Sequence, residues 1–105
     1  MPQTTQQQVA AFVARHNLQT TPETRLLDLV SEVGELAKEA LKSSQYGRQP
    51  AAPAGTAWQQ EMGDVYFALL CLTNETDVNL EEALEAVLAK YEARLARTQD
   101  AGSGR

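Results

Sequence analysis

Glu61-Met62-Gly63-Asp64, running straight into Val65-Tyr66-Phe67-Ala68-Leu69-Leu70-Cys71-Leu72, is the stretch on which the fold turns. Residues three apart on a helix lie about 60° from one another, so Glu61 and Asp64 share a face that continues through Val65, Ala68 and Leu72. The other faces carry Met62, Tyr66, Phe67, Leu69, Leu70 and Cys71. A helix this apolar all round belongs in the middle of a bundle. A carboxylate buried there must be neutralised, paired or bound to metal. No Lys or Arg occurs from Gln49 to Ala89, so a salt-bridge partner has to come from a distant segment or another chain. A metal ion is the simpler partner.

Upstream, Glu32-Val33-Gly34-Glu35 repeats the order acid, apolar residue, glycine, acid. Glycine within a helix costs about 1 kcal/mol relative to alanine, so its recurrence at the same place predicts that two backbones approach closely there. Side by side and antiparallel, the two helices would bring Glu32, Glu35, Glu61 and Asp64 together. An all-oxygen donor set suits a hard cation such as Mg2+, with Mn2+ as the alternative. Mg2+ keeps several waters and binds substrate phosphates as well as one or two carboxylates.

With these motifs in place the chain resembles the MazG-type all-α nucleoside triphosphate pyrophosphohydrolases. The resemblance runs from about Leu26 to Arg94. It rests on Ser31-Glu32-Val33-Gly34-Glu35-Leu36-Ala37-Lys38-Glu39, on Glu61 to Leu70, and on Lys90-Tyr91-Glu92-Ala93-Arg94 at the basic end of the last helix. Either acidic pair alone is common on helices; the two together, with glycines in register, are more specific. Many members have a further Glu where this chain has Ser31, which bears on whether a second metal binds.

The resemblance implies an all-α, four-helix bundle-like protomer with an antiparallel metal-binding hairpin, associating as a homo-oligomer, dimer or tetramer, with a cleft that can draw on more than one chain. It implies Mg2+-dependent hydrolysis of a nucleoside or deoxynucleoside triphosphate to monophosphate and pyrophosphate, serving nucleotide-pool housecleaning. Glu32, Glu35, Glu61 and Asp64 would be the metal ligands and catalytic residues. Lys90 and Arg94 would hold phosphate, with Lys38 and Trp58 as further substrate-binding residues. Two alternatives stand beside this reading: a phosphoribosyl-ATP pyrophosphohydrolase, and a non-catalytic helical oligomerisation module. A di-iron bundle suits the chain less, because it wants Glu-x-x-His pairs and the sole histidine, His16, has Val13 three residues before it.

The chain has 105 residues, 43% hydrophobic and 22% charged, with a net charge of −5. That length gives one domain whose own core is small enough for association to help. The domain is expected over residues 1–98 and a Gly/Ser tail over 99–105. The acidic balance argues against nucleic-acid polymers and anionic membranes, both of which want a basic face. A single cysteine within an apolar run offers no disulfide framework and no zinc cluster, and a cytoplasmic setting follows as the default.

Along the chain, Val9, Phe12, Val13 and His16 predict a first helix from about Gln6 to Asn17. His16 is either a base or phosphate contact or a surface group at a helix end. Thr21-Pro22-Glu23 predicts the start of a second helix, reaching about Ser43. Its acids Asp28, Glu32, Glu35 and Glu39 line one stripe, and like charges four apart repel. The stretch Ser43 to Gly55, with two prolines and two glycines, reads as a long loop. It carries Arg48, either a lid over phosphate or a solvated side chain. Thr56 and Gln59 predict a capping box for the central helix, and Trp58 either stacks on a base or packs. Asn79 with Glu82 caps the last helix, whose Lys90, Arg94 and Arg97 fall on one side, near the end where the dipole favours cations.

Overall fold

The computed structural model describes residues 3–98. They form four helices: α1 (Thr5–Arg15), α2 (Pro22–Ser43), α3 (Gly55–Glu75) and α4 (Leu80–Thr98). Among the described residues there is no strand, so the all-α expectation holds. The tail expected over 99–105 lies outside the described residues.

The helix starts show why these segments become helices. The Thr4 side chain accepts from the Gln7 N–H while the Gln7 side chain accepts from the Thr4 N–H, a reciprocal cap for α1. Asn17, at φ 56°, ends that helix in the left-handed region that asparagine tolerates. Thr21 Oγ1 accepts from the Thr24 N–H at 3.1 Å, and Pro22 opens α2 where its missing N–H is harmless. Asn79 Oδ1 accepts from the Glu82 N–H at 3.0 Å, as the sequence predicts. The capping box expected on Thr56 and Gln59 is absent. α3 starts earlier, at Gly55, behind Ala54 and without a side-chain cap, because Gly55 at φ 87° turns the chain into the helix by backbone alone.

The loop between α2 and α3 is anchored at its root. Tyr46 N–H donates to Leu41 O at 2.8 Å, Ala52 N–H to Ser43 Oγ at 3.1 Å, and Gln49 Nε2 to Ser43 O at 3.1 Å. Those bonds bring the chain back across the end of α2.

α2 and α3 form an antiparallel hairpin. Arg25 near the start of α2 shares a crevice with Cys71 and Glu75 near the end of α3, whereas Lys42 and Ser43 at the end of α2 share one with Trp58 near the start of α3. α1 lies against α3, with the Phe12 ring edge-on to Phe67 at 6.0 Å. The core is correspondingly local: Val13 of α1 with Ala68, Leu70 and Cys71 of α3.

Two expectations fail here. The buried residues of the central helix lie only between Ala68 and Thr73; Met62 and Tyr66 before them are 48% and 51% exposed, on a side that α1 and α2 do not cover. A close backbone approach at the motif glycines is also absent, since a methyl group added at Gly34 or Gly63 would meet nothing within 4 Å. α4 stands furthest from the rest. None of its residues is buried, it barely touches the other helices, and its apolar row Leu84, Leu88, Tyr91 and Leu95 faces outward. No helix among the described residues is long and apolar enough to cross a membrane.

Candidate metal centre

The antiparallel pairing sets Glu32 of α2 opposite Glu61 and Asp64 of α3. Each offers a carboxylate oxygen, and these oxygens all lie within 4.8 Å of one another. Ligands opposite each other across a divalent ion are separated by about 4.2 Å for Mg2+ and about 4.8 Å for Ca2+, twice the usual metal–oxygen lengths. The 4.8 Å bound matches the span of the larger ion and exceeds that of Mg2+ by about 0.6 Å, so around Mg2+ the trio would draw in by that much at most. Oxygen-only donors of this charge fit a hard cation.

The acidic stripe of α2 is divided among different partners. Asp28 faces Arg25 at 4.0 Å and Glu39 pairs with Lys42 at 3.3 Å. Of the two acids between them, Glu35 pairs with no cation among the described residues, and Glu32 meets Glu61 and Asp64 of α3. There Glu61 is held above the usual carboxylate range, first by partial burial and then by the charges of Asp64, Glu35, Glu32 and Glu39. No positive side chain figures among those causes. Glu35 lies outside the trio of converging oxygens and is exposed, yet close enough for its charge to act on Glu61.

The cluster is wetter than the sequence suggests. Glu32 and Glu61 are half-buried and Asp64 is exposed, since α2 alone lies against this part of α3. The upward shift of Glu61 thus comes from desolvation of a half-buried side chain, reinforced by repulsion among the acids, without full burial.

The remaining sequence-predicted residues lie around this centre at varying remove. Trp58 is half-buried in a crevice of about 280 Å3 with Glu39, Lys42 and Pro53, on the side of the centre toward the α2–α3 loop. Lys38 is exposed on α2, and Arg48 is exposed on the loop. Lys90 and Arg94 place their cations over the Tyr91 ring, at 5.3 and 5.6 Å from its centroid, on the outstanding α4. His16 caps the end of α1 against the Phe12 ring at 4.6 Å, the surface helix-end role.

One residue with structural weight gave no signal in the sequence. Arg25 is 7% exposed, donates to the Leu18 carbonyl and so ties α2 to the connection after α1. Only its spacing to Asp28 hinted at a pair, and nothing in the sequence foretold its burial.

Residues 20–97 match the family model of the MazG nucleotide pyrophosphohydrolase domain. The chain belongs to that family. Among its relatives, the Bacillus subtilis (strain 168) protein YpjD is 38% identical over 76 residues, covering 70% of this chain and 67% of YpjD. The solved structure of YpjD from Bacillus subtilis, described as a candidate pyrophosphatase, superposes with a TM-score of 0.69 at 32% identity, over 90% of this chain and 99% of that one. A Bacillus-conserved MazG protein, described as a nucleotide pyrophosphohydrolase, superposes with a TM-score of 0.68 at 28% identity, over 87% of this chain and 93% of that one. The MazG match covers α2, α3 and nearly all of α4, and leaves α1 outside.

Proposed function

We propose that this MazG-family chain hydrolyses nucleoside or deoxynucleoside triphosphates to monophosphate and pyrophosphate with Mg2+, as a cytoplasmic housecleaning enzyme. The supporting observation is the cluster of Glu32, Glu61 and Asp64, whose oxygens converge without a cation acting on Glu61. These three would hold the ion. A bound Mg2+ would supply charge stabilisation to the reacting phosphates. Glu35, beside the trio and open to solvent, is left to accept a proton from the water that attacks the α-phosphorus. Lys90 and Arg94 carry the charge that suits the outer phosphates, and Lys38 and Trp58 stand on the hairpin for further contacts.

The same reading includes self-association. On α2, Leu27, Val30, Gly34, Ala37 and Leu41 follow the alternating three-and-four spacing of a helix–helix seam, and all are exposed. With the outward row of α4 they give a second copy of this chain an apolar surface to cover, and they leave room for a cleft built from two chains.

Pyrophosphate release from a panel of triphosphates, phosphoribosyl-ATP included, with and without Mg2+, tests the activity. Turnover that needs Mg2+ and is lost in Glu61→Gln supports the proposal. Equal rates for the variant and the native chain would refute the site, and no turnover on any triphosphate would favour a non-catalytic module.

A further inference from the structure

Gln6 belongs to no motif and lies in α1, outside the 20–97 stretch that matches the family. Its side chain nevertheless gathers three parts of the fold into one knot. Nε2 donates to Val78 O at 2.8 Å and lies 3.2 Å from both Thr73 Oγ1 and Asn74 Oδ1, so the two N–H groups of the amide are shared among three acceptors. Oε1 accepts from the Leu80 N–H at 2.7 Å. The Gln6 backbone carbonyl in turn accepts from Asn74 Nδ2 at 3.0 Å. One residue of α1 thus grips the end of α3, the joint after it and the first N–H of α4.

That grip matters because, within the protomer, α4 has little else to hold it. The helix buries none of its residues. It hangs from a short joint in which Asp77 turns at φ 56° and the Val78 N–H returns to Thr73 O at 3.0 Å. The first N–H of a helix has no partner within the helix, and at α4 Gln6 provides that partner from elsewhere in the fold. A lever arm magnifies any slack at this point. At 1.5 Å per residue Arg94 lies about 21 Å along α4 from Leu80, so a tilt of about 10° at the root carries it about 4 Å. A hydrogen bond to phosphate tolerates a few tenths of an ångström.

We propose that Gln6 is a positioning residue: by fixing the root of α4 it sets where Lys90 and Arg94 meet the phosphates of the substrate, which makes α1 a strut for the matched domain. The inference rests on the reading above, in which those two cations hold phosphate.

Gln6→Met is close to isosteric and helix-compatible, and it removes every hydrogen bond that the Gln6 side chain makes. Hydrogen exchange over Leu80–Glu85 should quicken about tenfold while α2 stays protected. With the best triphosphate of the panel, KM should rise about tenfold and kcat change less than about threefold. The double variant Lys90→Ala/Arg94→Ala should raise KM by itself, and adding Gln6→Met to it should raise KM less than about twofold further, because Gln6 acts through those two contacts. Leu80→Pro repeats the test from the other side, deleting the N–H that Gln6 accepts from at a position where proline suits a helix start.

A Gln6→Met protein that melts earlier but keeps both its α4 protection and its KM overturns the proposal, as does a KM effect that multiplies fully with that of the Lys90→Ala/Arg94→Ala pair. If Lys90→Ala and Arg94→Ala leave KM unchanged, the phosphate reading has failed and takes the proposal with it. If they raise KM while Gln6→Met does not, the proposal alone has failed.

Discussion

At Glu61 the proposed site would set a proton in competition with a metal. Partial burial and then four neighbouring acids raise its affinity for a proton in the folded chain. The folded state therefore holds more protons than the unfolded state at pH values above the ordinary carboxylate range, and stability falls as pH rises through that window. In chelator, the melting temperature should climb as pH is lowered from about 7 towards about 5, and Glu61→Gln should flatten that slope; a thermal melt series at fixed ionic strength checks both. Because metal ligands must be deprotonated, stabilisation by Mg2+ should run the other way, larger at pH 7.5 than at pH 5.5. In turnover, Glu61→Gln should lose about 100-fold or more in kcat/KM, the scale of removing one preorganised electrostatic group. Glu35→Gln should lower kcat comparably and leave the Mg2+ shift in melting temperature intact, as its place outside the trio requires. Cys71 illustrates the opposite use of burial. It is 2% exposed, and burial pushes its thiol up despite the opposing charge of Arg25. It should stay unreactive towards a thiol reagent at pH 7 until the chain unfolds.

At the scale of elements, what could be read in the chain depended on whether a side chain carried the signal. Thr21-Pro22 and Asn79 announce α2 and α4 because their caps are side-chain hydrogen bonds, and the structure contains both. The start of α3 was misplaced because Gly55 begins it through a backbone angle, while Thr56 and Gln59 merely look like a cap. The convergence of Glu32 with Glu61 and Asp64 follows the spacing of the motifs, whereas Glu35, which the sequence grouped with them, lies outside the trio. The dryness attributed to them was not legible, since periodicity shows which side of a helix is apolar and says nothing of what covers it. The glycines went astray for the same reason. Gly34 has open space around it within the protomer, although it sits in the exposed row with Leu27, Val30 and Leu41. Gly34→Ala is accordingly expected to gain about 1 kcal/mol of helix propensity and to weaken self-association by holding a partner helix off. Chemical denaturation read beside sedimentation velocity separates the two effects.

For the molecule as a whole, the amount of surface points to what is missing from a single protomer. A compact chain of 11.5 kDa exposes about 5800 Å2 by the usual scaling with mass, whereas this one exposes 7854 Å2. Its radius of gyration is 17.5 Å, against about 13 Å for a compact domain of this length. The excess of about 2000 Å2 exceeds the roughly 800 Å2 per partner of a standard interface and falls in the range of obligate ones. It coincides with two apolar rows, one on α2 and the other at Leu84, Leu88, Tyr91 and Leu95 of α4. The core of the lone protomer, four small or medium side chains shared by α1 and α3, is thin support for helices of this length. Folding and association should therefore be coupled, with a melting temperature that rises with protein concentration. Leu88→Glu puts a charge into the α4 row, where it would have to be buried without a partner in the assembled state. The variant should sediment as a smaller species at micromolar concentration and melt at least several degrees lower. Its Mg2+-dependent turnover should fall too if the cleft draws residues from a second chain, whereas a Leu88→Glu protein that keeps its native size would place the interface elsewhere, leaving the α2 row around Val30 as the surface to substitute next.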